Sequence, residues 1–476
     1  PLDYIFSVEI LNEGVDIVEV NQVIMLRPTE SPIVFIQQLG RGLRKANGKE
    51  FVVILDFIGN YNNNFMIPIA LSGDRSYNKD TIRKYVISGN NVIPGASTVH
   101  FDEVAKDKIF ESIDKIKGMK AIIKESYVSL KNRLGRVPYL KDFYENGEID
   151  PLVIIREYKT YHKLLEKTEA DSYIGKITEE ESVILEYLSK TILSGARPYE
   201  LEILKYMVLN RDDLSYEKMN EYFVQRYHEK LDKDSYDDAL DVLQGKFVVN
   251  SSEYNKYHNI DILECDKDKT ARRLSAFAER LSHAEFYKQV NDIIDVGLLR
   301  YQGKYESSRE DGTPFVLYEK YSRRDVSLVM NCGKDLSSTM YGMKRIGDDV
   351  FIFITYHKAE ADEELEYVEG KPDYADAFED NMTFNWDSQI GRGIDSSYVA
   401  EVRNAPRKHL MVKKSDAESN FYYVGEFDIK SVKLAKKKDN IGKERDITKF
   451  VMRMHHPVRE DLLRYLQSNI SMEKEA

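Results

Sequence analysis

Gln22-Val23-Ile24-Met25-Leu26 and Phe51-Val52-Val53-Ile54-Leu55-Asp56 are short apolar runs, and the segment between them decides the fold of the opening region. After Pro32 that segment takes a helical pattern through Phe35, Ile36 and Leu39. Continuous apolar runs alternating with a helical pattern read as buried strands of a parallel α/β sheet. Upstream, Tyr4-Ile5-Phe6-Ser7-Val8 reads as a further strand, entered with no Met and no lead-in. The pattern fits within residues 1–75, roughly half a domain. An open sheet interrupted there would present a bare edge. The expectation is therefore that the chain is the C-terminal portion of a longer protein.

Outward from this region the periodicity changes twice. Residues 76–101 read as a linker. Residues 102–305 carry amphipathic helical patterns, with breakers at Gly135-Arg136-Val137-Pro138 and Gly195-Ala196-Arg197-Pro198. No fixed-period repeat is present, so a solenoid is not supported. Residues 306–476 turn to strand patterns, among them Val350-Phe351-Ile352-Phe353-Ile354-Thr355 and Phe421-Tyr422-Tyr423-Val424. The fold class expected is multi-domain: a partial α/β lobe, an all-α connector, and a mostly β (α+β), mostly antiparallel C-terminal domain. Asp362 to Asp380 reads as an acidic loop.

Composition narrows the function. The 476 residues are 42% hydrophobic and 32% charged, enough for ordinary cores. The two cysteines, Cys265 and Cys332, lie far apart without ligand-spaced partners, which argues against a disulfide scaffold or a cysteine-held zinc. There is no run of about 18 apolar residues and no signal-peptide pattern, so a cytoplasmic protein without a membrane partner is expected. The net charge of −12 argues against a generic polyanion binder. Yet residues 401–476 are locally basic, and such a region can bind phosphate within an acidic chain. No catalytic triad or metal-ligand cluster stands out, His455-His456 included, so no metal site is expected.

The strongest chemical signal is Gln37-Gln38-Leu39-Gly40-Arg41-Gly42-Leu43-Arg44-Lys45. Two arginines three apart on a helix share a face. Their planar guanidinium groups match phosphate oxygens and suit the charge on a transferring γ-phosphoryl group. Gly40 lets a partner approach the backbone closely. Alone, the pattern would be a surface helix with ion pairs. However, Asn12-Glu13-Gly14-Val15-Asp16 precedes it, after a strand-like run, and open α/β sheets bind ligands at the carboxyl ends of strands.

Together these segments resemble the last two motifs of superfamily 2 helicases. The Q-x-x-G-R-x-x-R motif is met by Gln37, Gly40, Arg41 and Arg44, and the preceding motif by Gly14 and Asp16. The resemblance implies the second RecA-like lobe of an ATP-driven DNA motor. It makes Arg41 and Arg44 arginine fingers, with Gln37 at the γ-phosphate. Gly14, Asp16 and Gly40 would be nucleotide-binding, and Asn12 and Glu13 would couple ATP to the DNA strand. ATP and Mg²⁺ are then the expected cofactors. The chain has no G-x-x-x-x-G-K-[ST] loop and no D-E-x-H-type acid pair, so residues 1–476 alone are expected to show no DNA-stimulated ATPase.

A second constellation lies near the C-terminus: Tyr321-Ser322-Arg323-Arg324-Asp325, Phe384-Asn385-Trp386-Asp387-Ser388-Gln389, Phe421-Tyr422-Tyr423-Val424-Gly425, and Lys436-Lys437-Lys438. Phe384 and Trp386 share a face if extended, and could stack on a base while Ser388 and Gln389 read its edge. The plainer reading makes both aromatics core and makes Ser388 and Gln389 turn caps. These elements resemble a domain that follows the helicase core in bacterial type IV restriction endonucleases with a phospholipase D-like nuclease. The resemblance implies a phage-defence protein directed at modified, 5-methylcytosine-containing double-stranded DNA. Its helicase lobe and nuclease would lie N-terminal to this chain, since no H-x-K-x₄-D pattern occurs here. Phe384, Trp386, Ser388, Gln389, Lys436, Lys437 and Lys438 would be its DNA contacts, with a homodimer left open. A superfamily 2 helicase of repair or transcription without nuclease, and a protein-interaction module, are the rivals.

Overall fold

The computed structural model describes residues 5–6, 20–26, 35–36, 38–40, 48–57, 66–72, 77, 82, 85–86, 99–114, 118–146, 149–249, 251–306, 312–357, 376–415, 418–438 and 443–467. The chain divides into two compact units, Pro1–Gly175 and Lys176–Ala476.

In the first unit, β1 (Gln22–Met25) pairs with β2 (Val53–Asp56) in parallel, Gln22 opposite Val53 and Met25 opposite Asp56. Parallel neighbours need a crossover. Phe35, Ile36 and Gln38 to Gly40 are helical within that crossover, as the apolar spacing requires. Phe35 and Leu39, one turn apart, are buried, whereas Ile36 and Gly40 are exposed. Phe51, Val53, Leu55 and Phe57 alternate along one strand line and are all exposed. Sheets of this kind are normally covered on both faces, so this is a face that further packing would cover. Of the run Tyr4–Val8, only Ile5 and Phe6 are described, and neither is in a strand.

Helices follow. Met119–Leu134 buries Ile123, Tyr127 and Leu130 at four- and three-residue spacing. It ends at Gly135, which takes the left-handed conformation and donates to the Lys131 carbonyl. Asp150 caps the helix Pro151–Tyr158, and Thr160 caps Tyr161–Thr168. The rings of Tyr127, Phe143 and Tyr161 form one aromatic seam.

The second unit joins helices to a sheet. Its helical part includes α1 (Glu179–Thr191), α2 (Tyr199–Leu209), α3 (Lys233–Leu243) and α4 (Ala284–Arg300). A capping box between Thr178 and Glu181 starts α1. The turn after it needs glycine: a Cβ on Gly195, at φ +67°, would lie 2.3 Å from the Gly297 carbonyl oxygen of α4.

β3 (Leu263–Cys265) and β4 (Ala271–Arg273) form a small antiparallel pair, and the main sheet contains β5 (Lys320–Tyr321), β6 (Met343–Ile346), β7 (Asp349–His357), β8 (Ala377–Phe378), β9 (Thr383–Asp387), β10 (Arg407–Ser415), β11 (Phe421–Lys438) and β12 (Glu444–Met454). Their order is β6-β7-β10-β11-β12-β9-β8, with β5 beside β11. The sheet is mixed: β7 and β10 run parallel from Asp349–Arg407 to His357–Ser415, and the other pairings are antiparallel. The expected antiparallel character thus has one exception, and the sequence of β7 explains it. Val350, Ile352 and Ile354 pack on one face with Val399 and Val402 of the helix Ser397–Asn404 and with Leu462 and Leu466 of Glu460–Gln467. Phe351 and Phe353 pack on the other with Tyr321, Phe421 and, from the helical part, Ala196, Tyr301 and Tyr305. An unbroken apolar run is what a strand covered on both faces requires. A core shared by the helical part and the sheet spans residue 305, and the boundary between the two compact units falls after Gly175. Most of the acidic stretch Asp362 to Asp380 lies outside the described residues; its end forms β8.

Candidate functional site

In the opening motif only Gln38, Leu39 and Gly40 can be placed. Leu39 anchors the helix inward, and Gly40 is exposed, with no atom within 4 Å of where a Cβ would stand. Packing within this chain thus does not demand glycine there. Gln37, Arg41 and Arg44, and also Asn12, Glu13, Gly14 and Asp16, lie outside the described residues.

The aromatic pair of the C-terminal constellation requires a correction. Phe384 and Trp386 do share one face of β9, but that face is the core. Phe384 is 0% exposed and Trp386 3%. Trp386 packs against Phe450 and Tyr398, and Phe384 against Phe378. Neither ring has a free face for a base. Ser388 is likewise structural: its hydroxyl donates to the Arg392 carbonyl at 2.9 Å and accepts from the Thr448 amide at 2.9 Å. Gln389 alone of this element is exposed, and its amide donates to the Tyr341 carbonyl at 3.4 Å.

The lysine run also reads differently in three dimensions. β11 and β12 form a long ribbon, from Phe427–Met454 to Lys438–Glu444. Strand period two places Lys437 on one face and Lys436 on the other. Lys436 is opposite Asp446 and 3.8 Å from Glu444, and Lys438 is opposite Glu444. The run does not act as one patch. The cationic face instead carries Lys433 opposite Lys449 and Lys437 opposite Arg445, all four exposed. The nearest acid in register is Asp387 of β9, beside Lys449. Like charges directly opposite one another destabilise a sheet.

The other motifs resolve into local chemistry. In Tyr321-Ser322-Arg323-Arg324-Asp325, Ser322 and Asp325 form the capping box of α5 (Arg323–Val329). Asp325 also accepts from the Ser194 hydroxyl at 2.6 Å, tying α5 to the helical part. Gly425 lies at the bulge where β10 meets β11, with φ +118°. Sequence reasoning missed a buried chain in which His409 Nε2 is 2.7 Å from Asp349 and Nδ1 is 3.0 Å from the Tyr423 hydroxyl. His409 and Tyr423 are 0% exposed, so no substrate reaches this chain, and it fixes strand packing. Burial pushes the Cys265 thiol up to about 11 and the Cys332 thiol to about 12, so neither is a nucleophile at neutral pH. Among the described residues no His, Cys, Asp or Glu cluster could hold a metal ion, and no helix is long and apolar enough to cross a membrane.

Comparison with known families gives three matches. The helicase conserved C-terminal domain matches residues 1–46. A domain of unknown function, DUF8090, matches residues 123–303, and a second, DUF3427, matches residues 315–466. No curated protein matches the chain.

Proposed function

We propose that this superfamily 2 helicase-related chain is the C-terminal part of an ATP-dependent DNA translocase belonging to a modification-dependent restriction endonuclease. In this reading the opening segment supplies the trans-acting side of a nucleotide site, and the C-terminal sheet engages the DNA. The observation that carries it is the parallel β1–helix–β2 unit, whose helical residues Gln38, Leu39 and Gly40 fall within the Q-x-x-G-R-x-x-R stretch of the sequence. That is the setting in which α/β motors present ligand-binding residues at strand ends.

Within this proposal Arg41 and Arg44 neutralise developing charge on the γ-phosphoryl group, and Gln37 contacts it. Gly14 and Asp16 border the nucleotide, Gly40 gives it room, and Asn12 and Glu13 pass its state to the strand. ATP and Mg²⁺ find only part of their site here. The sequence has no phosphate-cradling P-loop and no magnesium-holding acid pair, so no hydrolytic step is assigned to this chain's own residues.

The proposed DNA contact is the cationic ribbon face of Lys433, Lys437, Arg445 and Lys449, which replaces the linear lysine run as the contact surface. Reading of 5-methylcytosine then falls to residues other than Phe384 and Trp386. Their burial favours, as a second reading, a helicase of repair or transcription that binds duplex DNA without selecting a modified base.

The test is binding of the whole chain to duplexes with and without 5-methylcytosine, across a salt series. Affinity that falls steeply with salt supports DNA engagement, since each neutralised phosphate adds about 0.9 to the log–log slope. A preference for the methylated duplex supports the restriction reading, and equal affinity supports the second. Absence of salt-dependent binding to either duplex overturns both.

A further inference from the structure

Where the helical part of the second unit meets its sheet, the surface carries a shallow, solvent-open cleft of about 440 Å³. Three cations enter its wall: Lys190 from α1, and Arg323 and Arg324 from α5. Four serines and Tyr341 complete the lining, and among the described residues no Asp or Glu contributes to it. Cations and hydroxyls without a carboxylate are a donor set for an oxyanion.

The cations are fixed from outside that lining. Arg324 donates to Asp335 at 2.8 Å and to Glu253 at 2.6 Å. Lys190 lies 3.0 Å from Glu186. Arg323 is held differently. Its guanidinium lies over the rings of Tyr341, Phe421 and Phe353, at 4.6, 5.1 and 5.9 Å from their centroids. Stacking orients a guanidinium plane while its N–H groups point outward along the edges. The rim is open to solvent: Ser338 and Ser419 are exposed, and Tyr341 is 61% exposed. Gln389, exposed as well, donates to the Tyr341 carbonyl.

We propose that this cleft binds a phosphate of a nucleic-acid strand, with the adjoining base stacked on Tyr341. Arg323 supplies a forked donor, Arg324 adds the Nη1 group that Asp335 and Glu253 leave over, Lys190 supplies a point charge, and the serine hydroxyls complete the shell. A large exposed ring at the mouth has no use for free inorganic phosphate but suits a nucleotide unit in a strand, because base–aromatic stacking tolerates any base. The identity of the strand rests on the DNA reading above; capture of the oxyanion does not.

The experiment uses the whole chain and three variants, Ser338→Glu, Tyr341→Ala and Arg323→Lys. Two probes are used: a fluorescent single-stranded oligonucleotide read by anisotropy, and inorganic phosphate read by thermal shift. Ser338 and Tyr341 are exposed, so those two variants keep the fold and the wild-type melting temperature. The expected result is about a tenfold loss of oligonucleotide affinity for Ser338→Glu and roughly a fivefold loss for Tyr341→Ala. Arg323→Lys is expected to weaken binding as well, because charge survives but the fork does not. Oligonucleotide affinity unchanged in Ser338→Glu and Tyr341→Ala overturns the cleft while leaving the DNA reading standing. No oligonucleotide binding, with phosphate stabilising the wild type but not Ser338→Glu, supports the oxyanion site and overturns its assignment to a strand. Neither probe acting overturns both.

Discussion

Arg197 Nη2 donates to Asp238 Oδ2 at 2.6 Å, and both side chains are buried. Arg197 occupies the turn between α1 and α2, and Asp238 lies on α3. The same guanidinium pairs with Glu200 and donates to the Leu328 carbonyl and to Asn331 Oδ1, just beyond α5. Asp238 in turn accepts from the Gly333 amide at 2.6 Å. One cation therefore satisfies two buried carboxylates and clamps the helical part to the segment leading into the sheet. Removing it strands both carboxylates. Arg197→Met should destabilise the second unit by about 3–5 kcal/mol, read as a lower denaturant midpoint. A loss below about 1 kcal/mol would mean that the helical and sheet parts cohere without this clamp.

Glu186 gives a pH-dependent prediction. It accepts from Lys256 at 2.6 Å and from the Tyr257 hydroxyl at 2.9 Å, and Lys190 lies 3.0 Å away. Burial alone would raise its carboxyl, but the three donors outweigh burial and hold it at about 2, below the usual 4.5. A depressed carboxyl stabilises fully above its unfolded value, and that contribution is lost as pH falls toward the folded value. Glu186→Gln should therefore cost on the order of 3 kcal/mol near neutrality. The difference should shrink as pH drops from about 4.5 toward about 2. Denaturation of both proteins at several pH values checks this, and a difference constant with pH would refute it.

Trp386 separates packing from recognition. Its ring fills the core between Phe450 and Tyr398. Trp386→Ala should cost about 3–5 kcal/mol and lower the melting temperature sharply. DNA affinity measured well below that melting point should change less than twofold. The opposite order, intact stability with lost binding, would return the ring to the DNA surface.

How far the sequence could be read depended on the range of the interaction. Local signals held: Gly135 and Gly195 break helices because their backbones take positive φ, and the run Val350–Ile354 marks a strand covered twice. Alternation placed Phe384 and Trp386 on one face but could not say which face meets the core, since that depends on helices near residues 400 and 460. The fusion of helical part and sheet was hidden for the same reason: Arg197 and Leu328 meet across 131 positions. Alternation divides the lysine run, because three adjacent residues on a strand cannot share a face. Arg323 and Arg324 belong to the Tyr321–Asp325 motif, yet only the tertiary fold brings Lys190 beside them. Gln37, Arg41 and Arg44 fall outside the described residues, so the sequence motif alone argues for their roles.

The ribbon makes the last prediction, because there stability and binding should move in opposite directions. Lys433 faces Lys449, and Lys437 faces Arg445. Neutralising one member of each pair, in Lys433→Gln and Lys437→Gln, removes a like-charge repulsion. It should raise stability by about 0.2–1 kcal/mol per site. If the face meets DNA phosphates, each change should also weaken binding and reduce the salt slope by about 1. Lys436→Gln is the control on the opposite face, where Asp446 and Glu444 already balance the charge. It should leave the slope unchanged and lower stability slightly. Equal effects of all three substitutions on DNA binding would show that the ribbon acts through net charge alone, without a preferred face.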